Sequence, residues 1–402
     1  MKKIIALLLA LVMVLGLVAC ASSTTTETKA PETTETTAPA ETETEAPAEE
    51  PAEAPAEEPA AEPAADNAPV KVALITDVGT IDDESFNQAT WQGVEEYCTA
   101  NGVEYNYYQP VEGSDDARMS SIITAVGDGY NVIVMPGFLF GAILGQAQDL
   151  FPEVYFIAID VSEGDLGGTA VASNTVCVTF AEEQAGYLAG YAVVKDGYTR
   201  LGFLGGIAVP AVIRYGYGFI QGAEAAAAEL NTEVEIKYTY GGTFSTDPAV
   251  TAKMEGWYAD GTELVFACGG GIYGSALEAA LQYNGMLVGV DVDQHYIGEA
   301  ENYAYNPFVT SAMKGLQQTT VDILADLFNG QFDKYAGQVM NLSLTEGDYV
   351  GLPTAEASWC FQSFTMDEYQ AVVDAIKGGS VVVSNDTENL PETSFVTVNV
   401  IE

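Results

Sequence analysis

The sequence predicts an α/β protein made of two doubly wound lobes, each with a parallel sheet between layers of helices. From residue 70 onward, apolar runs of strand length alternate with stretches of helical periodicity. The runs are almost continuously apolar, as at residues 70–76, which is typical of strands covered on both faces. Residues 70–402 are more than one ordinary α/β domain needs, so we expect two lobes.

The individual elements follow from these runs in chain order. Strands are predicted at residues 70–76, 104–109, 131–135, 154–159, 201–204, 234–240, 264–267 and 287–290. Helices are predicted at residues 85–99, after the acidic pair 115–116, and at residues 142–150, 219–230 and 275–283. In open α/β sheets ligands bind beyond the carboxyl ends of the strands, so those ends direct the search for a site.

The charge balance excludes one large class of ligands. The 402 residues include 58 acidic and 13 basic side chains, for a formal net charge of −45. Proteins that bind nucleic acids neutralise phosphates with basic side chains, so nucleic-acid binding is not expected.

The N-terminus predicts export and a lipid anchor. Two lysines precede an apolar run at residues 4–18, which is shorter than a membrane-spanning helix and typical of a signal peptide at residues 1–19. The run ends in Leu17-Val18-Ala19-Cys20, which resembles the lipobox of bacterial lipoproteins and implies acylation of Cys20 after cleavage. An ordinary secretory signal, with Cys20 incidental, is the alternative. We expect a lipid-anchored protein on the extracytoplasmic face of the cell membrane.

Residues 20–69 are expected to form a disordered linker between the anchor and a folded domain at residues 70–402. Residues 21–69 hold 13 acids, one lysine and eight prolines, and this composition does not support a packed core. The alternative is an acidic tail that binds a partner.

Cysteine and histidine usage argues against catalysis and metal binding. Cys98, Cys177, Cys268 and Cys360 are widely separated without a C-x-x-C pair, and His295 is the single histidine. No G-x-S-x-G motif is present. We therefore expect no enzyme activity, no cofactor and no metal site.

Polar or glycine-rich residues follow four predicted strands, at Asp77, Asp160, Gly269 to Gly271, and Asp291. Gly269 to Gly274 matches G-x-G-x-x-G, and Asp291 lies 20 residues beyond Gly271, as in a dinucleotide fingerprint. Export and the acidic composition disfavour a pyrophosphate, and a ribose-like pocket is the preferred interpretation. The alternative is that these glycines only permit close packing of a helix on a strand.

Several segments resemble the basic membrane protein family of ABC-transporter substrate-binding lipoproteins, which are purine-nucleoside receptors. They are VALITDVGTIDDESFNQATWQGVEEY, FPEVYFIAID, VTFAEEQAGYLAGY, VPAVIRYGYGFIQG, LVFACGGGIYG, VGVDVDQ and FVTSAMKG, which lie in this order along most of the domain. The resemblance implies a type I periplasmic-binding-protein fold, with the ligand in the cleft between the lobes. By analogy, lobe one covers about 70–178 and 293–332, and lobe two covers about 179–292 and 333–402.

The resemblance also implies ligand-binding roles. Phe86 matches the ring that stacks on the purine, and Asp77, Asn87 and Asp160 match polar contacts to the ligand, Asp160 and Asn87 at the base. Asp291 and Lys314 match the groups that bind the ribose, and Gly270 lies in the glycine turn beside it. Tyr215 is expected to be a second aromatic face. Glu84 stands where the family often has lysine and is expected to be exposed and without consequence.

The expected function is capture of a nucleoside outside the cell, as a monomer, for delivery to a membrane permease. Closure of the two lobes would retain the ligand. Three alternatives remain: the same fold with riboflavin or a sugar as ligand, an adhesion or immune-facing surface lipoprotein, and an exported nucleosidase.

Overall fold

A computed structural model describes residues 70–300 and 302–402, and it contains two largely parallel sheets. The strands are β1 Lys71–Ile75, β2 Glu104–Tyr108, β3 Val132–Pro136, β4 Tyr155–Ile159, β5 Thr175–Phe180, β6 Arg200–Gly205, β7 Val234–Tyr240, β8 Leu264–Cys268, β9 Met286–Asp291, β10 Phe308–Lys314, β11 Gln338–Leu342, β12 Val350–Gly351 and β13 Val396–Val400. The helices are α1 Phe86–Asn101, α2 Asp115–Gly127, α3 Gly141–Leu150, α4 Glu182–Lys195, α5 Pro210–Leu230, α6 Pro248–Ala259, α7 Tyr273–Tyr283, α8 Leu316–Phe328 and α9 Met366–Lys377.

The sheets define two lobes. The first sheet has the strand order β11-β5-β4-β3-β1-β2, and the second has the order β12-β10-β9-β8-β6-β7-β13. Neighbouring strands are parallel, apart from β12, which pairs antiparallel with β10. Helices cover the sheets, as expected for doubly wound lobes. The predicted α/β fold class is confirmed.

The chain passes between the lobes three times: after β5, after β10 and after β11. Helix α4 follows β5 and packs on α5 in the second lobe, whereas α8 follows β10 and packs on α1 in the first lobe. The lobe boundaries differ from those expected. Residues 293–332 are expected in the first lobe and residues 333–402 in the second, but β10 lies in the second lobe and β11 in the first. Strand β10 pairs with β9 in the second sheet, and β11 pairs with β5 in the first.

The central strands form the core because their side chains are apolar on both faces. Every residue of β3 and β8 is buried, and so is every residue of β1 after Lys71. Capping residues fix several helix ends: the Asp247 carboxylate accepts from two backbone N–H groups at the start of α6, and Thr365 and Glu368 form a capping box at α9. Gly102 ends α1 in the left-handed conformation.

The two lobes repeat one local order of structure at the cleft. Gly137 follows β3 with φ 129°, and a 3₁₀ turn and α3 come next; Gly269 follows β8 with φ 132°, and a 3₁₀ turn and α7 come next. Asp160 lies directly after β4 with φ 60°, and Asp291 ends β9 with φ 65°. The cleft is therefore lined by two similar backbone arrangements, which differ at the residue after each glycine: Gly270 has φ 52°, whereas Phe138 does not adopt a positive φ.

In the described part of the chain, no helix combines the length and the apolar composition that a membrane crossing needs.

Candidate ligand-binding cleft

A cavity lies between the lobes at the carboxyl ends of strands from both sheets, with about 560 Å³ of unoccupied space, part of it open to solvent. The eight residues singled out from the sequence all line this cavity: Asp77, Phe86, Asn87, Asp160, Tyr215, Gly270, Asp291 and Lys314. The structure thus brings them together, from six segments that are distant in the sequence.

The loop between β1 and α1 provides a polar cluster at one side of the cavity. The Asn87 side-chain amide donates to Asp77 Oδ1 and to Asp83 Oδ2, at 3.1 Å each. The backbone N–H groups of Ser85, Asn87 and Gln88 also donate to the Asp83 carboxylate. Burial raises the pKa of Asp83 to about 6, although these hydrogen bonds oppose the shift.

Lys314, at the end of β10, joins carboxylates from different elements. Its Nζ lies 2.5 Å from Asp160 Oδ2, 3.2 Å from Glu182 Oε1 and 3.9 Å from Asp291 Oδ1. Burial lowers the pKa of Lys314, but these three carboxylates outweigh it and hold the pKa above its ordinary value. Burial raises the pKa of Asp160 to about 7 despite the nearby ammonium group. The lysine is therefore charged, and Asp160 titrates close to neutrality.

The crossing of α4 and α5 positions further charged groups behind Lys314. Glu182 begins α4 and is fully buried, and its Oε2 accepts from Arg214 Nε at 2.6 Å. Helices α4 and α5 approach each other closely because glycines lie at their contact. A Cβ on Gly218 of α5 would lie 2.1 Å from the carbonyl oxygen of Glu183 in α4. Burial raises the pKa of Glu182, but Arg214 and Lys314 together hold it below its ordinary value. A chain of alternating charges thus runs from Arg214 through Glu182 to Lys314.

Aromatic rings surround the same ammonium group. Lys314 Nζ lies 4.6 Å from the centroid of the Phe86 ring and 5.8 Å from that of Tyr215, within the range of cation–π attraction. The Tyr215 hydroxyl donates to Asp291 Oδ1 at 3.4 Å, and Ser85 Oγ donates to Asp291 Oδ2 at 2.6 Å. Since Ser85 belongs to the first lobe and Asp291 to the second, the Ser85 hydrogen bond also joins the lobes.

Some residues of the cleft were not predicted from the sequence. Asp83 lies in the polar stretch after β1 that the strand-end rule had already indicated. Phe244 lines the cavity in the second lobe and follows β7, so the same rule applied to β7 could have found it. Glu182 had no such signal, because its partner Lys314 is 132 positions away.

The expectation for Glu84 is wrong. Glu84 is half-buried, not exposed, and its carboxylate accepts from the Tyr296 hydroxyl.

The remaining expectations concern the cysteines and metal binding. Cys20 lies outside the described residues. Cys98, Cys177, Cys268 and Cys360 are free thiols, and Cys268 lines the cavity. Among residues 70–300 and 302–402 there is no group of three or more His, Cys, Asp or Glu side chains placed to hold a metal ion.

Comparisons with known proteins agree with this architecture. The chain is 26% identical over 294 residues to the ABC transporter nucleoside-binding protein BmpA of Lactococcus lactis, covering 69% of this chain and 80% of that protein. It is 29% identical over 286 residues to basic membrane protein A1 of Borrelia garinii, covering 69% of this chain and 78% of the relative.

Solved structures share the fold. An ABC transporter solute-binding protein from Aeropyrum pernix superimposes with a TM-score of 0.67 at 18% identity, covering 79% of this chain and 94% of the other. A solute-binding protein from Conexibacter woesei gives a TM-score of 0.59 at 22% identity, covering 79% of this chain and 99% of the other.

The profile of the family described as ABC transporter substrate-binding protein, PnrA-like, matches residues 70–386. The chain therefore belongs to the PnrA-like family of ABC transporter substrate-binding proteins, and it is a binding protein, not an enzyme.

Proposed function

We propose that this protein is an extracytoplasmic lipoprotein that captures purine nucleosides and delivers them to an ABC permease. The observation that carries the proposal is the placement of the Phe86 ring beside the cluster of Lys314, Asp160 and Asp291 inside one cavity. An aromatic face suits a planar base, and a lysine between two carboxylates suits the hydroxyl groups of a ribose. The Lactococcus lactis relative is named as a nucleoside-binding protein, which supports the same ligand class.

The hydrogen-bonding groups of the cavity favour a neutral ligand that brings donors. Asn87 Oδ1 and Asp160 Oδ1 are buried acceptors without a hydrogen-bond partner in the described part of the chain. The N–H groups of a purine and the O–H groups of a ribose would satisfy such acceptors. Carboxylates outnumber cations among the lining residues, with Lys314 the single cationic side chain, so phosphorylated ligands are disfavoured.

Isothermal titration of the purified domain at residues 70–402 tests the ligand class. We expect saturable binding of guanosine, inosine or adenosine, and much weaker binding of their 5′-monophosphates. Cytidine, riboflavin and ribose extend the series to the alternative ligands. Absence of binding to every nucleoside would reject the proposal, and binding of ribose or riboflavin alone would replace it.

Substitution of Phe86 tests how the base is held. Stacking on an aromatic side chain is worth roughly 1–3 kcal/mol per base, so Phe86→Ala should weaken nucleoside binding by about 5- to 150-fold. Tyr283→Ala is a suitable control, because Tyr283 is 40% exposed at the end of α7 and does not line the cavity. If both variants bind nucleosides like the wild type, Phe86 is not a stacking residue.

The lipid anchor is proposed from the sequence at Cys20. The full chain expressed in its cell should fractionate with membranes, and Cys20→Ala should release it or block its processing. Mass spectrometry of the mature N-terminus would identify acyl groups on Cys20. An unmodified mature protein in the soluble fraction would reject the anchor without affecting the proposal on the ligand.

A further inference from the structure

The loop between β1 and α1 contacts the second lobe at a point beside the ligand cavity. Glu84 is the residue that makes this contact: its backbone carbonyl accepts from Gln294 Nε2 at 2.9 Å, and its carboxylate accepts from the Tyr296 hydroxyl. Gln294 and Tyr296 belong to a 3₁₀ turn, Gln294–Glu299, that follows β9. None of these three residues lines the cavity. They join the lobes without contacting a ligand in the cavity.

The second-lobe side of this contact is held firmly in its own lobe. Gln294 Oε1 accepts from the backbone N–H of Val290 at 3.0 Å, and the backbone N–H of Gln294 donates to Ser311 Oγ at 3.0 Å. Asp293, which precedes the turn, accepts from Ser358 Oγ at 2.5 Å. Gln294 is fully buried, whereas Tyr296 is 49% exposed. The turn therefore presents one buried donor and one rim donor in fixed positions.

The first-lobe side is also preformed. Glu84 adopts the left-handed conformation with φ 54°, which is uncommon for a residue with a Cβ. Its backbone N–H donates to Gln88 Oε1 at 2.9 Å, and its carboxylate accepts from Gln88 Nε2 at 3.0 Å. Gln88 lies in the first turn of α1, so a hydrogen bond within the first lobe positions the Glu84 side chain even when Tyr296 is not in contact with it. Both halves are thus ordered independently of each other.

We propose that Glu84, Gln294 and Tyr296 form a latch that stabilises the closed state of the cleft and slows ligand release. The two hydrogen bonds of the latch form only when the lobes are close together, so they favour the closed state alone. The three side chains are positioning residues that act through closure. This inference rests on the proposed function in one respect, since retention of a nucleoside requires closure around it.

Tyr296→Phe removes the rim hydroxyl and changes nothing that lines the cavity. The acceptor is a carboxylate, but the bond is exposed to solvent, so it contributes about 0.5–1.5 kcal/mol and the nucleoside dissociation rate should rise about 2- to 12-fold. The association rate should not change, because the hydrogen bonds of the latch are absent from the open state that the ligand enters. Tyr283→Phe is the matched control, since the Tyr283 side chain is 40% exposed in the same lobe and lies outside the latch. Stopped-flow fluorescence would measure both rate constants.

A second measurement needs no ligand. Small-angle scattering of the ligand-free domain should give a larger radius of gyration for Tyr296→Phe than for Tyr283→Phe. Hydrogen exchange should be faster at the backbone N–H groups of Ser85 and Asn87. Glu84→Ala should also open the cleft, and the double variant should be no more open than Glu84→Ala, because both changes remove the same hydrogen bond between the lobes; the Gln88 hydrogen bond that Glu84→Ala also removes lies within the first lobe.

The outcomes separate the latch from the ligand proposal. If Tyr296→Phe matches the Tyr283→Phe control in dissociation rate and in radius of gyration, the latch is refuted even though nucleosides bind. If no nucleoside binds but Tyr296→Phe still opens the ligand-free protein, the latch stands and the nucleoside proposal fails. A change confined to the association rate would also contradict the latch, because the hydroxyl would then act on ligand entry.

Discussion

Replacing Lys314 with methionine is the most direct perturbation of the cleft. The Lys314 side chain is almost fully buried, and its ammonium group is the nearest cation to Asp160 at 2.5 Å and lies 3.2 Å from Glu182. Methionine keeps most of the apolar volume but removes the charge, so these carboxylates and Asp291 remain buried near one another. Removal of one partner of a buried ion pair destabilises a protein by about 3–5 kcal/mol. We expect a loss of this size in the free energy of unfolding at pH 8.

The loss from Lys314→Met should shrink as the pH falls. Burial already raises the pKa of Asp160 to about 7 in the presence of the lysine, and removal of the lysine raises it further. A carboxyl group whose folded pKa lies above its unfolded value binds more protons when folded, so its contribution to stability falls as the pH rises towards the folded pKa. The variant should therefore be closer to the wild type at pH 5 than at pH 8.

Urea unfolding followed by circular dichroism at pH 5 and pH 8 would measure both losses. Lys195→Met is the control: Lys195 Nζ lies 3.3 Å from Glu229, whose side chain is 54% exposed. An ion pair of that kind contributes less than about 1 kcal/mol. Equal losses for Lys314→Met at the two pH values, or a loss no larger than that of Lys195→Met, would refute the electrostatic account of the cleft.

Three further predictions follow from the same contacts. Nucleoside affinity should fall between pH 8 and pH 5.5, because burial raises the pKa of Asp160 to about 7 and only the ionised carboxylate keeps both the Lys314 contact at Oδ2 and a free acceptor for a ligand at Oδ1; titration at the two pH values would show it, and unchanged affinity would mean that Asp160 does not contact the ligand. Gly218→Ala should lower the free energy of unfolding by about 1–3 kcal/mol, because the added Cβ would clash with the Glu183 carbonyl oxygen. Gly256→Ala on α6 should raise it by about 0.4–1 kcal/mol, because open space surrounds that position. Equal shifts of the two variants in thermal unfolding would contradict the close packing of α4 on α5. Asp291→Asn should weaken nucleoside binding at least about 10-fold. The unfolding midpoint should stay close to that of the wild type, because removing a buried charge offsets the contacts that are lost. Titration and thermal unfolding of one sample would separate the loss of binding from a loss of stability.

The sequence predicted the central strands well because burial on both faces leaves a continuous apolar run. The predicted bounds of β3, β8 and β9 agree with the structure to within one residue, whereas β5 and β10, which are also interior strands, are absent from the predicted strands. The start of α5 was missed by nine residues: Pro210 begins the helix, but Gly216 and Gly218 weaken the helical pattern of its first half. Those glycines are present because α4 packs closely there, which is a tertiary requirement.

The later strands escaped prediction for a different reason. β11 and β13 lie at the edges of the sheets, and their side chains are mostly half-buried or exposed, so no apolar run marks them. The residues at the strand ends of the cleft could be found, because the carboxyl ends of parallel strands meet at one edge. The contacts of Glu182 and Glu84 could not, since both depend on how the lobes meet.

The repeated backbone order at the cleft has a consequence for how an asymmetric ligand is oriented. Gly137 and Gly269 adopt the same uncommon conformation in the two lobes, and so do Asp160 and Asp291. Two equivalent half-sites would accept a molecule equally well in either direction. Direction must therefore come from the side chains that differ between the copies, as where Phe138 follows one turn and Gly270 the other. Bulk cannot be exchanged freely between these two positions, because Gly270 has φ 52° and a Cβ there would lie 3.1 Å from the Phe244 carbonyl oxygen, so the backbone itself keeps the two turns different.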